Sequence, residues 1–238
     1  GLGDVYKRQT AGCSLTAQQP ENNIVRTAFE ALSGVLGGTQ SLHTNSMDET
    51  YALPSEQAVK IALRTQQLIA YETGVVNTID PLAGSYFVEA MTDRLEDEAE
   101  AYFDEIEKRG GVIQCIEDGY FQREIARAAY NYQKAIEKGD RVVVGVNEFV
   151  EEDEEIRIPL LKIDKQVEID QCEMLEKLRK ERDNDAVKRT LDNLRAVAEG
   201  DGNTVEAILE CVRAYATEGE MCDVMREVWG EYTEKSII

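Results

Sequence analysis

The chain has 238 residues, enough for one large domain or two modest ones with a real core, and 42% hydrophobic and 31% charged residues describe a globular rather than a disordered protein. Its 26 Lys+Arg against 47 Asp+Glu leave a net charge of −21, a surface that repels phosphate backbones and anionic lipid, so no nucleic-acid partner is expected. No apolar run reaches the ~18–20 residues of a membrane span and no apolar signal-peptide core stands near the N-terminus, so no membrane association and a cytoplasmic location are expected.

Residues 1–9, GLGDVYKRQ, carry no period and resemble a translated sequencing-library adapter. They are expected to be non-native, with the natural chain beginning further upstream. From Asn22 to Leu36 the pattern is helical, with Ile24, Ala28, Ala31, Leu32 and Val35 on one face. Asn22 or Asn23 can cap its start and Gly37-Gly38 stops it. Thr39–His43 is short and extended, a predicted strand. A second helix is predicted from Ser55 to Thr73, capped by Ser55, ended by Gly74, with Ala58, Ile61, Ala62, Leu68 and Ile69 inward. Val75–Ile79 is again extended and closes at the turn Asp80-Pro81. Helix, strand, helix, strand with short connections marks a parallel α/β unit.

An acidic helix is predicted over Asp93–Arg109, stopped by Gly110-Gly111, and another over Phe121–Lys138. Arg141–Val146 (RVVVGV) is β-branched and apolar in its middle, which predicts a buried strand. The run EEDEE at 151–155 reads as a solvated acidic linker, extending to residue 166. Beyond it, residues 167–238 are expected to be helical. Two helical stretches fill 167–199, with Leu175, Leu178, Leu191, Leu194 and Val197 inward; GDGN at 200–203 is a turn; Thr204–Ala216 and Met221–Trp229 are amphipathic helices.

Taken alone, the residues carry few chemical signals. The five cysteines, Cys13, Cys115, Cys172, Cys211 and Cys222, are scattered and form no C-x-x-C pair, so they read as mostly buried, reduced thiols. His43 is the one histidine, which excludes a His-rich metal site. Dinucleotide, P-loop and nucleophile-elbow motifs are absent. The densest polar cluster runs from Gln40 to Glu49, where a strand would leave the sheet, and ligand sites of α/β sheets collect at such strand ends. His43, Asn45 and Glu49 can line a pocket there. Alternatively, Ser46 and Glu49 have the S-x-x-E spacing of a capping box, and His43 can be a hydrogen-bonded core residue; both readings stand on spacing alone.

The segments QTAGCSLTAQQPENNIVRTAFEAL, GGTQSLHTNSMDE and IDPLAGSYFVE closely resemble the large-subunit, or N-terminal, segment of methylmalonyl-CoA mutases, members of the adenosylcobalamin-dependent acyl-CoA mutases. The resemblance runs from about Gln9 to the end of the chain. It implies a partial (β/α)₈ TIM barrel, about strands six to eight, over residues 10–150, followed by a mostly helical C-terminal segment that docks a subunit. QTAG would close strand six, Thr39–His43 would be strand seven and Val75–Ile79 strand eight. It also implies a fragment, inactive by itself, of an enzyme that interconverts methylmalonyl-CoA and succinyl-CoA by a radical 1,2-rearrangement.

Carried over residue by residue, Gln9 of QTAG and Glu49 of MDE match positions that contact adenosylcobalamin near its adenosyl group. Gly12 and Ala52 match neighbouring cobalamin contacts, and His43 matches a position supporting the strand end. The chain has no D-x-H-x-x-G motif, which in the family supplies the histidine beneath the cobalt. Its end near Trp229 resembles the terminus of two-subunit versions. The resemblance therefore implies an acyl-CoA substrate and a separate small cobalamin-binding subunit in a hetero-oligomer. The alternatives are an isobutyryl-CoA or ethylmalonyl-CoA mutase, and a non-catalytic module that docks a cobalamin-binding subunit.

Overall fold

The computed structural model describes residues 7–155 and 158–234. Residues 1–6 of the adapter-like segment, 156–157 of the expected linker and 235–238 of the expected helical segment lie outside the described residues. The chain divides into two compact units that part between Lys162 and Ile163.

The first unit opens with a β-α-β crossover. Strand β1 (Lys7–Gln9) pairs in parallel with β2 (Ser41–His43), in the register Lys7↔Ser41, Arg8↔Leu42 and Gln9↔His43. Helix α1 (Asn22–Leu36) connects them. Parallel neighbours need such a crossover, because a tight turn reverses the chain. Helix α1 has the predicted bounds, but its start is not capped by an asparagine side chain: Glu21 holds the cap position, and Asn22 donates to Gln19 Oε1 instead. Its buried line is Asn23, Thr27 and Ala31, with the predicted apolar face only half-buried. The cause is what that face meets. Asn23 donates to Thr16 O (2.8 Å) and Met47 O (3.0 Å), so an amide fits where a leucine would leave carbonyls unsatisfied.

Helix α2 (Glu56–Glu72) starts as predicted, with Ser55 Oγ accepting from Ala58 N–H, and buries Ala58, Ala62, Thr65 and Ile69, while Leu68 is exposed. The expected strand Val75–Ile79 does not form. Gly74 takes a left-handed φ of 76°, Val75–Asn77 make a 3₁₀ turn and Ile79 is 96% exposed. No strand lies beside it among the described residues, and a strand without a neighbour has no ladder to join. The Asp80-Pro81 turn is present, with Ala83 N–H donating to Asp80 O at 3.1 Å.

Helix α3 (Tyr86–Lys108) begins ahead of the expected Asp93 and buries none of its residues. Two short-range partners follow: α4 (Val112–Glu117), which the sequence reading missed, and α5 (Tyr120–Glu137). The expected buried strand Arg141–Val146 is instead an irregular, largely exposed segment that bends through the buried Gly145 (φ 82°). Asn147 does what a neighbouring strand would have done: its Oδ1 accepts from Val143 N–H, and its amide donates to Arg141 O and Ile136 O. Glu154 of the acidic run is half-buried, and residues 159–164 are exposed without regular structure.

The second unit holds α6 (Lys165–Glu181), α7 (Asn184–Ala198), α8 (Thr204–Arg213) and α9 (Glu218–Trp229). Its core joins Leu194, Ala207, Cys211, Met221 and Val224, with Leu191, Val197, Ile208 and Ala216 packed against them. Leu175 and Leu178 of α6 are only half-buried. Asn203 and Thr217 cap α8 and α9, and Thr217 with Glu220 forms a reciprocal capping box. Arg182 is bound by Glu220 at 2.5 Å and donates to Tyr215 O at 2.8 Å, its side chain only 5% exposed. Across both units only Cys115 and Cys211 are buried, so the cysteines are less buried than expected, and all five are free. Among the described residues no helix is long and apolar enough to cross a membrane.

Candidate functional site

The polar run that leaves β2 is buried rather than solvated. Thr44, Asn45, Ser46, Met47 and Asp48 all lie inside, with Asp48 fully buried. The chain leaving β1 meets it at the same end of the two parallel strands. Thr10 N–H donates to His43 O (3.2 Å), which extends the ladder by one step, and Thr10 Oγ1 donates to Asn45 Oδ1 (2.7 Å) while accepting from Asn45 N–H (3.0 Å). The pair thus satisfies the Thr10 hydroxyl and the Asn45 backbone N–H and side-chain oxygen.

Two loops stand on this pair. The first makes a 3₁₀ turn at Gly12–Ser14, held from α1 by Glu30, whose carboxylate accepts from Ala11 N–H (2.7 Å) and Ser14 Oγ. The second is the turn from Asp48 to Ser55. The Asp48 carboxylate closes it by accepting from Ser55 N–H (2.8 Å), and the Asp48 carbonyl accepts from Tyr51 and Ala52 N–H. Glu49 projects from this turn towards the first loop. A Cβ on Gly12 would lie 2.9 Å from Glu49 Oε1 and 3.0 Å from Asn45 Nδ2, so only glycine lets the carboxylate come this close to the backbone.

Beside these loops is a cleft of about 610 Å³ lined by His43, Thr44, Ser46, Glu49, Ala52 and Gln66 on its polar and small-residue side. Leu53, Pro54, Val59, Ala62 and Leu63 make the apolar wall. Gln66 reaches from α2 and donates to Leu42 O (3.1 Å) and Thr44 Oγ1 (3.0 Å), fixing the strand end. Three buried polar atoms here have no hydrogen-bond partner: Asn45 Nδ2, Ser46 Oγ and Asp48 Oδ1. Buried groups of this kind are normally satisfied, and unsatisfied ones gathered at strand ends can receive a ligand's hydroxyls or amides. The Tyr51 phenol beside this site is pushed above its usual value, by burial first and then by the Glu154 and Glu21 carboxylates.

Of the residues named from the sequence, His43, Glu49 and Ala52 line the cleft together, and Gly12 lies directly under Glu49. His43 is exposed on the cleft wall, so it is not a core histidine. Gln9 pairs with His43 in the ladder but lines a separate depression with Arg8, Glu30 and Leu42. The Ser46–Glu49 capping box does not form: Glu49 N–H donates to the Ser46 carbonyl, no helix follows, and Ser46 Oγ is unpaired. Gln66, Asp48 and Glu30 were missed. The one available signal was at Gln66, a polar residue at the edge of the apolar face of a predicted helix, whereas Glu30 lies across its helix from the predicted apolar face. Among the described residues lining the cleft none is a lysine or arginine, so it offers no positive charge to an anionic group.

The family described as methylmalonyl-CoA mutase matches residues 5–231. The chain is 47% identical over 227 residues to the methylmalonyl-CoA mutase of Rhizobium meliloti (strain 1021), which covers 94% of this chain and 32% of that protein. It is 45% identical over 230 residues to the 2-hydroxyisobutanoyl-CoA mutase large subunit of Aquincola tertiaricarbonis, covering 96% of this chain and 41% of that protein. It is 41% identical over 225 residues to the methylmalonyl-CoA mutase of Escherichia coli (strain K12), covering 94% and 31%. The chain thus spans about a third to two-fifths of the length of these curated relatives.

Proposed function

The chain belongs to the methylmalonyl-CoA mutase family, and we propose that it is a piece of the catalytic subunit of an adenosylcobalamin-dependent enzyme that interconverts methylmalonyl-CoA and succinyl-CoA. Strands β1 and β2 are read as two adjacent strands of a (β/α)₈ barrel whose other strands belong to the rest of the protein. The cleft at their carboxyl ends is read as part of the adenosylcobalamin site. One observation carries this reading. Glu49 rests against Gly12 at the strand ends, beside the buried, unpaired Ser46 Oγ and Asn45 Nδ2. That donor and acceptor set fits a hydroxyl-rich group such as a ribose.

In this reading the Glu49 carboxylate accepts hydrogen bonds from ribose hydroxyls, and Gly12 keeps the floor low enough for the group to approach. Ala52 leaves room on the wall and His43 supports the end of β2, while Gln9, which the resemblance places near the adenosyl group, lies in a separate depression. The cofactor, when bound, supplies the radical chemistry of the 1,2-rearrangement. The residues of this chain orient it, and the apolar wall keeps water from the site. Positive charge for the anionic acyl-CoA comes from elsewhere in the protein.

The relatives are named for two different acyl groups and match at 45% and 47% identity, and the choice of acyl group is read as lying in the rest of the protein. One relative is named a large subunit, which supports a two-subunit assembly, and the partner is read as a small cobalamin-binding subunit. The helical second unit is read as its docking segment, after an acidic linker over 151–166.

The test is to read the source DNA upstream of Thr10 independently of the original assembly. The expected result is an open frame that continues into further strand–helix units. A start codon just upstream would overturn the fragment reading and favour a docking module.

A further inference from the structure

The segment after α5 returns to the first site loop. Gln19 at the end of that loop is held three ways. Its backbone N–H donates to the Glu154 carboxylate at 2.5 Å, its side-chain amide donates to Phe149 O at 2.8 Å, and Gly145 packs so closely that a Cβ there would lie 3.0 Å from Gln19 Cδ. Arg26 of α1 adds a fourth link, donating to Val144 O at 2.8 Å. Both Gln19 (φ 48°) and Phe149 (φ 56°) are non-glycine residues in the left-handed region. Such conformations persist where surrounding contacts over-determine them, and here the two strained residues hold each other.

The clasped loop is joined in turn to the turn that carries Glu49. Thr50 Oγ1 donates to Thr16 O (3.4 Å), and Tyr51 OH donates to Ala17 O. Asn23 and Arg26 fix Thr16 from beneath, through Asn23 Nδ2 to Thr16 O (2.8 Å) and Arg26 Nη1 to Thr16 Oγ1 (2.9 Å).

We infer that Glu154 is a positioning residue of the cleft. By holding the Gln19 amide it seats residues 16–19, and these seat Thr50 and Tyr51, and so the flanking Glu49 and Ala52. The importance of this for chemistry rests on the cofactor reading above, but the clasp itself stands on geometry. It gives one carboxylate of the acidic run a specific task, distinct from the solvation that serves its neighbours.

The experiment compares the 238-residue chain with its Glu154→Gln and Glu154→Ala variants, and with Glu152→Gln as a control on an exposed neighbour. Amide hydrogen exchange is followed by residue, and the Tyr51 phenol is titrated by NMR. Loss of a charge-assisted hydrogen bond predicts exchange at Gln19 at least about tenfold faster in Glu154→Ala, with Glu154→Gln intermediate. Exchange at Tyr51 and Ala52 should rise with it, while α2 and α3 keep their protection. Tyr51 should titrate lower in both variants because a carboxylate charge beside it is gone. Release of Gln19 with Tyr51 and Ala52 unchanged would overturn the inference, as would a uniform rise across α1, α2 and α3, or no difference from Glu152→Gln. Adenosylcobalamin retention by the unaltered chain, measured by equilibrium dialysis, tests the cofactor reading separately. Its failure is distinguishable, because the exchange experiment uses no cofactor.

Discussion

Gly12 and Ser46 hold opposite kinds of tension in the cleft, and each predicts a measurable effect. A methyl group at Gly12 would meet Glu49 Oε1 at 2.9 Å and Asn45 Nδ2 at 3.0 Å. Glu49 can swing away, whereas Asn45 is held by Thr10, so Gly12→Ala should destabilise the chain by about 1–2 kcal/mol. In a double-mutant cycle measured by urea unfolding, Glu49→Ala should relieve part of that loss. Ser46→Ala should behave the other way. Its hydroxyl is buried without a partner, so its removal should leave stability unchanged or raise it by up to about 1 kcal/mol. A loss of more than that in a thermal melt would mean that the hydroxyl is already satisfied in the free protein. The lining of the cleft was partly legible beforehand. His43 and Glu49 sit in one polar sequence cluster, and strand ends are where such clusters matter, whereas Ala52 was named through the resemblance alone. Gln66 and Glu30 were less legible because they act from helices on backbone and hydroxyl groups of the strand ends and loops, pairings that no spacing rule reveals.

Helices were legible where local chemistry sets their ends, whereas of the strands expected from composition only Thr39–His43 forms, as β2. Ser55 and Gly74 mark α2 because a side-chain acceptor and a left-handed glycine are local devices. Val142, Val143 and Val144 have the composition of a strand, but a strand also needs a neighbour, and here Asn147 bonds Val143 N–H and Arg141 O while Arg26 bonds Val144 O. Helix α9 carries the clearest prediction at this scale. The Arg182 guanidinium first, then the hydrogen bonds within the capping box, hold the Glu220 carboxyl down from its usual 4.5 to about 2. Because the folded value lies below the unfolded one, the stabilisation is fully present above about pH 4.5 and is lost as pH falls towards 2. It amounts to at most about 3 kcal/mol. Circular dichroism during acid titration should show the helices of the second unit weakening in this window. Glu220→Gln, which keeps a capping-box side chain, should remove the pH dependence. Arg182→Met should destabilise by about 2–3 kcal/mol, because it leaves a part-buried carboxylate without its cation.

At the scale of the whole chain the two units differ in how far they are self-sufficient. Strands β1 and β2 have three residues each and lean on α1 and α2 for their packing, and their outer edges are open for neighbours. A barrel around these strands is what the resemblance implies, and nothing in the residues themselves spells one out. The second unit, by contrast, closes its own core with α7, α8 and α9. Residues 163–234 expressed alone should therefore keep their helical signal and melt cooperatively, whereas a non-cooperative melt would show that the core needs help. Lys162 lies at the division between the units, in the exposed, irregular stretch that ends at Asp164. To a protease that cuts after lysine, that bond is an open door, while lysines within the helices require local unfolding first. Brief digestion should therefore release the C-terminal helices as a lasting piece, and the chain would enter a protease-rich extract as one protein and leave it as two.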